Sequence, residues 1–357
     1  GKSTVSVNLA YALSEMGFKV GILDADVYGP SLPTMLTPSD PTLRLNNTNG
    51  LIVAPVYMDV KLMSFGFSNP FDPLSTEKKA RQSTIMRGPM ASGVIQRLAT
   101  DTDWGDLDYL VVDFPPGTGD IQLTLAQTLQ FASALVVTTP QRLAHVDVVK
   151  GIDMFDKVNV PVVGLVENMA HLDVNCECGK SPQRIYPFGQ GRTQTLVELF
   201  GLENKVVQLP IMSQISEHGD RGDPVVLSDS TQLRELRDSY LQISQMVVKN
   251  TKEIIEAKAL HGKATPQVDY DDAASTITLT KFNGEKIHIS AQTLRRKCKS
   301  AGNTNPELVS ASVKVNDIQP RGNYAVSIAW SDGHNSIFPY DAIESTAAAA
   351  AAETCDS

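Results

Sequence analysis

Several classes of function are excluded by what this chain has too little of. Four cysteines in 357 residues cannot build a disulfide framework. Two of them, Cys176 and Cys178, lie close together, so a reducing compartment and metal or redox chemistry are the better expectation. Positive charge is also short: 31 Lys and Arg stand against 40 Asp and Glu, a net charge of −9. The overall field therefore repels phosphate backbones, nucleic acid is excluded as a partner, and any nucleotide contact must be local. No stretch approaches the roughly 18 apolar residues of a membrane span, and no basic and apolar leader opens the chain, so it reads as soluble with no membrane span. An initiating Met is missing too. The chain opens at Gly1-Lys2-Ser3-Thr4, the back half of a phosphate-binding loop. This predicts that any targeting segment, and the strand that normally feeds such a loop, lie ahead of Gly1.

What is present is globular. Hydrophobic residues at 42% and charged residues at 20% are enough to bury sizeable cores. The length points to two domains. Apolar residues at Val5, Leu9, Leu13 and Met16 keep helical spacing up to Gly17, and Val20-Gly21-Ile22-Leu23 reads as a buried strand ending in Asp24. Further strands are expected at 51–53, 109–112, 134–137, 160–166 and 206–209, with helices near 88–100, 121–130, 144–157 and 192–200 between them. Continuous rather than alternating apolar runs predict strands buried on both faces, hence an α/β fold with a doubly wound, mainly parallel sheet. A long polar helix is expected from Ser230 to about Leu260. The first domain is thus 1–260, followed by a linker at 261–268 around Gly262 to Pro266. From 269 to 345 the texture becomes a small β-rich α+β domain, with strands at 276–281, 286–289, 313–315 and 324–330 and turn signals at Asn283-Gly284 and Asp332-Gly333. Tyr324 and Trp330 are expected in its core. The alanine-rich end, 346–357, is expected to be a disordered tail.

Gly-Lys-Ser-Thr running into an amphipathic helix is the strongest local signal. Backbone amides, a helix N-terminus and the Lys2 ammonium hold phosphates, while the Ser3 or Thr4 hydroxyl reaches Mg2+. Asp113 ends an apolar strand and opens Asp113-Phe114-Pro115-Pro116-Gly117-Thr118-Gly119-Asp120, the place of a carboxylate that supports Mg2+ from its second shell. Asp24 and Asp26, two apart on an extended segment, are expected to point the same way, toward magnesium and the attacking water.

Together these stretches resemble the Mrp-type family of deviant Walker A P-loop ATPases, which scaffold or carry iron-sulfur clusters. The matching residues are Gly1 to Thr4, Asp24 to Ser31, Arg87-Gly88-Pro89-Met90, Asp113 to Leu125 and Val166-Glu167-Asn168-Met169, over roughly residues 1 to 250. The second domain, with Asn323 to Ile328 and Ile337-Phe338-Pro339-Tyr340-Asp341, looks like the small C-terminal module of the chloroplast high-chlorophyll-fluorescence type of carrier. The resemblance implies a P-loop NTPase fold, slow Mg2+-dependent ATP hydrolysis, an iron-sulfur cluster of the 4Fe-4S type, and apo iron-sulfur proteins as recipients. It further implies that Asn168 reads the adenine edge while Leu209-Pro210 packs against the base, and that the compartment is the chloroplast stroma, with cytosol or mitochondrion as alternatives.

The cysteines depart from the family pattern. Cys-x-x-Cys is common after the Asn-Met segment, whereas this chain has Cys176-Glu177-Cys178. Two such pairs on two chains would supply four thiolates to a shared cluster in a homodimer. Tetrahedral zinc, held across a dimer or with help from His171, is an open alternative, as are two inert thiols. Cys298 lies among Arg295, Arg296, Lys297 and Lys299, which fits either a favoured thiolate or a solvated helix face. Cys355 carries no assignment. Plastid relatives have cysteines where this chain has Ala126 and Ala170. Two rival readings remain at this stage: a ParA/MinD-like ATPase that positions protein cargo, and a nucleotide-regulated protein-binding module without a cluster.

Overall fold

The structure, a computed structural model, describes residues 1–68, 88–117, 119–174, 183–190, 193–202, 204–261, 266–281, 284–298, 303, 306–321 and 325–355. Its first part is doubly wound. Helix α1 (Lys2–Glu15) ends at Gly17, whose φ of +90° suits glycine, and leads into β1 (Val20–Asp24). Parallel strands β2 (Val60–Ser64) and β3 (Tyr109–Asp113) flank β1 on either side. A second parallel set has β5 (Val162–Glu167) between β4 (Ala134–Thr138) and β8 (Val206–Gln208). An antiparallel hairpin of β6 (Leu172–Val174) and β7 (Gln183–Ile185) rises between β5 and β8 in the chain.

Every residue of β1 and of β5 is buried, as continuous apolar runs require. On one face α1 packs against the long helix α6 (Arg234–His261), with Tyr11, Leu13, Ile22, Leu62, Tyr240 and Ile243 in one core. The other face is covered by α2 (Gly88–Thr100) and α3 (Asp120–Thr128) over Leu23, Met63 and Ile95. Beside them, α4 (Arg142–Lys157) and α5 (Thr193–Phe200) cover Val136, Leu165 and Phe200.

Strands β3 and β4 turn toward each other across an apolar cavity of about 970 Å³, lined by Val5, Leu9, Tyr109, Val111, Leu135 and Val137 among others. Strands lie about 4.8 Å apart, layers about 10 Å apart, and each residue advances about 3.3 Å, so roughly six residues of one strand fill such a space. A parallel strand seated there would join the two sets into one continuous sheet.

The second part has its own core. Antiparallel β9 (Gln267–Asp271), β10 (Thr276–Thr280) and β11 (Lys286–Ser290) lead to a short helix α7 (Ala291–Arg296). A second antiparallel sheet of β12 (Val315–Arg321), β13 (Ala325–Trp330) and β14 (Asn335–Pro339) leads to α8 (Tyr340–Cys355). Trp330 is fully buried and donates its indole N–H to Ser336 Oγ at 2.9 Å, so it fills the core as expected. Tyr324, Asn283 and the centre of the linker, 262–265, lie outside the described residues.

The structure departs from the sequence reading in four places. Strand β2 escaped the apolar reading because Lys61 interrupts it; its ammonium reaches the carbonyls of Asp103 and Trp104 at 3.1 and 2.7 Å. The run at 51–53 is not a buried central strand. Ile52–Val53 is a two-residue, half-exposed strand in a small outlying sheet. The long helix is not merely polar, since it buries Leu236, Tyr240, Ile243, Val247 and Ile254 along one stripe. Within 346–357, expected as a disordered tail, the residues to Cys355 continue α8, in keeping with the high helix propensity of alanine.

Close packing around β1 gives the first test. A Cβ at Gly21 would fall 2.8 Å from Leu107 Cδ1 and from Trp104 Cζ3, and that indole is pinned by its N–H to the Ala99 carbonyl at 2.9 Å. Gly21→Ala is expected to cost about 1–3 kcal/mol of stability. A lower urea midpoint with an unchanged denaturant slope checks it.

Candidate functional site

Parallel register builds the site. Asp24 of β1 stands opposite Asp113 of β3 and Ser64 of β2, so two carboxylates and a hydroxyl share one row at the carboxyl ends of the strands. The N-terminus of α1 opens beside them with Gly1, Lys2, Ser3 and Thr4. Asp113 accepts hydrogen bonds from the Ser6 hydroxyl at 2.9 Å and from Ser3, and the Lys2 charge lies near it. Burial pushes the Asp113 carboxyl above the usual carboxylate range, outweighing those hydrogen bonds and the Lys2 charge. A hydroxyl and a carboxylate linked at a helix N-terminus are the oxygen donors that a hard cation on a phosphate prefers, so the residues fit Mg2+.

The two aspartates of the following loop do different things. Asp24 is buried and accepts from the backbone N–H groups of Asp26, Ser31 and Leu32 and from the Ser64 hydroxyl, at 2.9–3.1 Å. Four donors hold the Asp24 carboxylate inside the loop, and it also feels the charge of Asp113. Asp26 is half-buried; its Oδ1 accepts from the backbone of Tyr28 and Gly29 at 3.1 and 3.0 Å, and its charge is felt at Asp113. Sequence reasoning missed Ser6 and Ser64. Ser6 sits one turn beyond Ser3 on the same helix face, which was a usable signal; Ser64 is brought in only by sheet register.

The base-reading candidates also converge. Asn168 follows β5, is buried, donates its N–H to the Thr138 carbonyl at 2.8 Å and turns its side-chain oxygen to the N–H of Met169, whose φ of +58° makes the corner. The Leu209-Pro210 segment runs alongside. Leu209 donates to the Glu167 carbonyl and accepts from Ala170, both at 2.9 Å. The β6–β7 hairpin follows directly, tied by Arg184 to Asp173 through two bonds of 2.8 and 2.9 Å. Cys176 and Cys178 fall between these strands, in 175–182, outside the described residues, as does Arg87. His171 is buried at the base of the hairpin, with its pKa lowered by burial first and then by the Arg184 charge. Among the described residues no group of three His, Cys, Asp or Glu could hold a metal ion. Cys298 is neither exposed nor on a solvated helix face: it is buried after α7, with Sγ 3.3 Å from His334 Nε2. No helix among the described residues is long and apolar enough to cross a membrane.

Comparison with known proteins now has a geometry to meet. Residues 1–248 match the ParA family described as the NUBPL iron-transfer P-loop NTPases. The chain belongs to that family. Beyond this NTPase part, residues 268–344 match the N-terminal region of gamma-butyrobetaine hydroxylase-like proteins. The chloroplastic Fe-S cluster assembly factor HCF101 of Arabidopsis thaliana is 44% identical over 354 residues, which are 96% of this chain and 62% of that protein. An iron-sulfur cluster carrier protein of Escherichia coli K12 is 46% identical over 230 residues, 64% of this chain and 58% of that one. This NTPase thus spans somewhat less than two thirds of the length of either relative. A nucleotide-binding protein of Archaeoglobus fulgidus, solved in complex with ADP, superposes with a TM-score of 0.51 at 32% identity, covering 62% of this chain and 81% of that one.

Burial of Asp24 has a pH consequence. Desolvation first of all raises its pKa from 3.8 to about 6, so the folded state keeps a proton that the unfolded chain has already released. The contribution of this carboxyl to stability is therefore full below about pH 4 and falls as pH rises toward 6, by roughly 3 kcal/mol at most. Asp24→Asn is expected to flatten the wild-type stability profile between those values, which urea unfolding at stepped pH measures.

Proposed function

We propose that this chain is the ATP-dependent core of an iron-sulfur cluster carrier. ATP binds at Gly1 to Thr4 with its base against Asn168 and Pro210. A 4Fe-4S cluster is held between the Cys176 and Cys178 pairs of two protomers and passed to apo iron-sulfur proteins. Residues 1–260 form the ATPase domain and 269–345 a small accessory module, and the compartment is the chloroplast stroma. The observation that carries this reading is continuity. The peptide that bears Asn168 runs through Ala170 and His171 straight into strand β6, and both cysteines follow in the chain between β6 and β7, which supports a link between the base-reading candidate and the thiols. Identity of 44% over 96% of the chain with a protein named for cluster assembly supports the same reading.

Each residue has a physical task. Lys2 and the amides at the start of α1 hold the phosphates. Ser3, oriented by Asp113, is the ligand for Mg2+, which when bound neutralises phosphate charge during slow hydrolysis. Asp26 orients the attacking water, and Asp24 is a positioning residue that holds the Asp26 to Leu32 loop in place. In a protein carrying the complete phosphate loop, Lys2→Ala and Asp113→Ala are each expected to abolish ATP turnover. Asp26→Asn should keep nucleotide affinity and lower kcat by roughly a hundredfold or more. Unchanged turnover in the first two variants would overturn the ATPase assignment.

The cluster itself is tested by anaerobic reconstitution with iron and sulfide. Cys176→Ser or Cys178→Ser should remove both the visible absorption and the cluster-dependent dimer while ATP binding persists, since half a ligand set satisfies the metal only when two chains meet. Cys298→Ser should retain both. Zinc in place of iron would appear as metal bound without visible absorption, and a cluster lost only in Cys298→Ser would move the site to the small domain.

A further inference from the structure

A buried carboxylate remains that neither phosphate nor cluster chemistry uses. Glu167 ends β5 with only 3% of its surface exposed. One of its oxygens accepts from the Thr193 hydroxyl at the start of α5, and the other from the Gln208 amide at the end of β8 at 2.6 Å. Both partners are neutral. It forms the wall of a cavity of about 480 Å³ beside β8, between α5 and α6, whose other described lining residues are Gln194, Val197, Val206, Val207, Ser239 and Gln242 besides Thr193 and Gln208. None of them carries a positive charge. The imidazole of His171, which interacts electrostatically with Glu167, has its pKa lowered by burial first and then by the Arg184 charge.

We propose that this cavity binds an alkyl cation, a primary ammonium or guanidinium group on an aliphatic stem, with the Glu167 carboxylate as its counter-charge. The two donors to Glu167 are neutral, so among the described lining residues no positive charge stands against the carboxylate, and one cationic group would balance it. A divalent ion does not fit, because a single carboxylate would neutralise half of it and the other lining groups are neutral. The valines match an aliphatic stem, while the hydroxyls and amides of Ser239, Gln242 and Gln194 match the remaining donors of the cationic head. The same chemistry is borne by a free amine and by a lysine or arginine side chain of a protein partner. Because Glu167 directly precedes Asn168 and shares its turn, the site adjoins the proposed base-reading peptide without being part of it.

Ligand-observed NMR on the whole chain tests this, with n-butylammonium, a backbone-blocked lysine amide and n-butanol as probes. Both cations are expected to bind saturably and the alcohol not to. Tighter binding of the blocked lysine assigns the site to a protein side chain, and tighter binding of butylammonium to a free amine. Glu167→Gln, which keeps an acceptor for Thr193, should weaken the cations at least tenfold. Ser239→Leu, in the cavity lining on α6 and outside the Glu167 hydrogen bonds, should do the same and serves if the first variant does not fold by circular dichroism. Equal binding of butanol, undiminished affinity in Glu167→Gln, or no saturable binding to the wild type would overturn the proposal.

Discussion

The arrangement of this protein depends on a single row of contacts, the register that sets Ser64, Asp24 and Asp113 side by side at the carboxyl ends of three parallel strands. Burial raises the cost of ionising both carboxylates, and the charge of Asp113 adds to it at Asp24. They coexist because each has its own donors. Asp24 takes three backbone amides and the Ser64 hydroxyl, and Asp113 takes Ser3 and Ser6 from α1. The loop after β1 and the first turn of α1 are thereby tied to the same point of the sheet. A displacement of either segment would be felt at the other, since both share hydrogen bonds with the strand ends.

The second half of the sheet repeats the principle with different chemistry. Strands β5 and β8 run parallel and continue past their ends as a zipper of backbone bonds, from Glu167 and Leu209 through Ala170 to His171 and Ile211. That zipper places Asn168 beside Leu209-Pro210 and launches the β6–β7 hairpin. Glu167 clamps the same corner from inside, reaching Thr193 and Gln208 from two further elements. The small domain stands on an independent core around Trp330, Ile328 and Phe338. It meets the first domain through Ala325, which packs in the cluster with Val136 and Leu165, and through contact of β14 with α5.

Much of the fold was legible because burial on both faces writes itself as uninterrupted apolar runs. The segments ending in Asp24, Asp113 and Glu167 could be placed within a residue or two, as could the four helices covering the sheet. Failures occurred where a residue serves two purposes. Lys61 broke the signal of β2 because its stem lies along the protein while its ammonium binds distant carbonyls. The brief run at 51–53 looked like a core strand, yet two residues in a peripheral sheet leave half their surface to solvent. Strands β9 and β14 of the small domain are interleaved with polar residues and gave no continuous run to find.

Residue types in sequence were enough to nominate the candidate groups: a lysine and hydroxyls at a helix start, aspartates at strand ends, an amide after a buried strand, and a close pair of cysteines. They do so because phosphate, magnesium and adenine each demand particular donors whatever the fold. The division of labour was decided by tertiary structure alone. Asp24 and Asp26 are chemically identical and two residues apart, but four donors converge on one and two on the other. Likewise the basic run around Cys298 says nothing of the packing that buries its sulfur against His334, and Glu167 reads as one more strand residue until α5 and β8 close around it. Orientation and burial arise from segments distant in the chain, and no local pattern encodes which of them will meet.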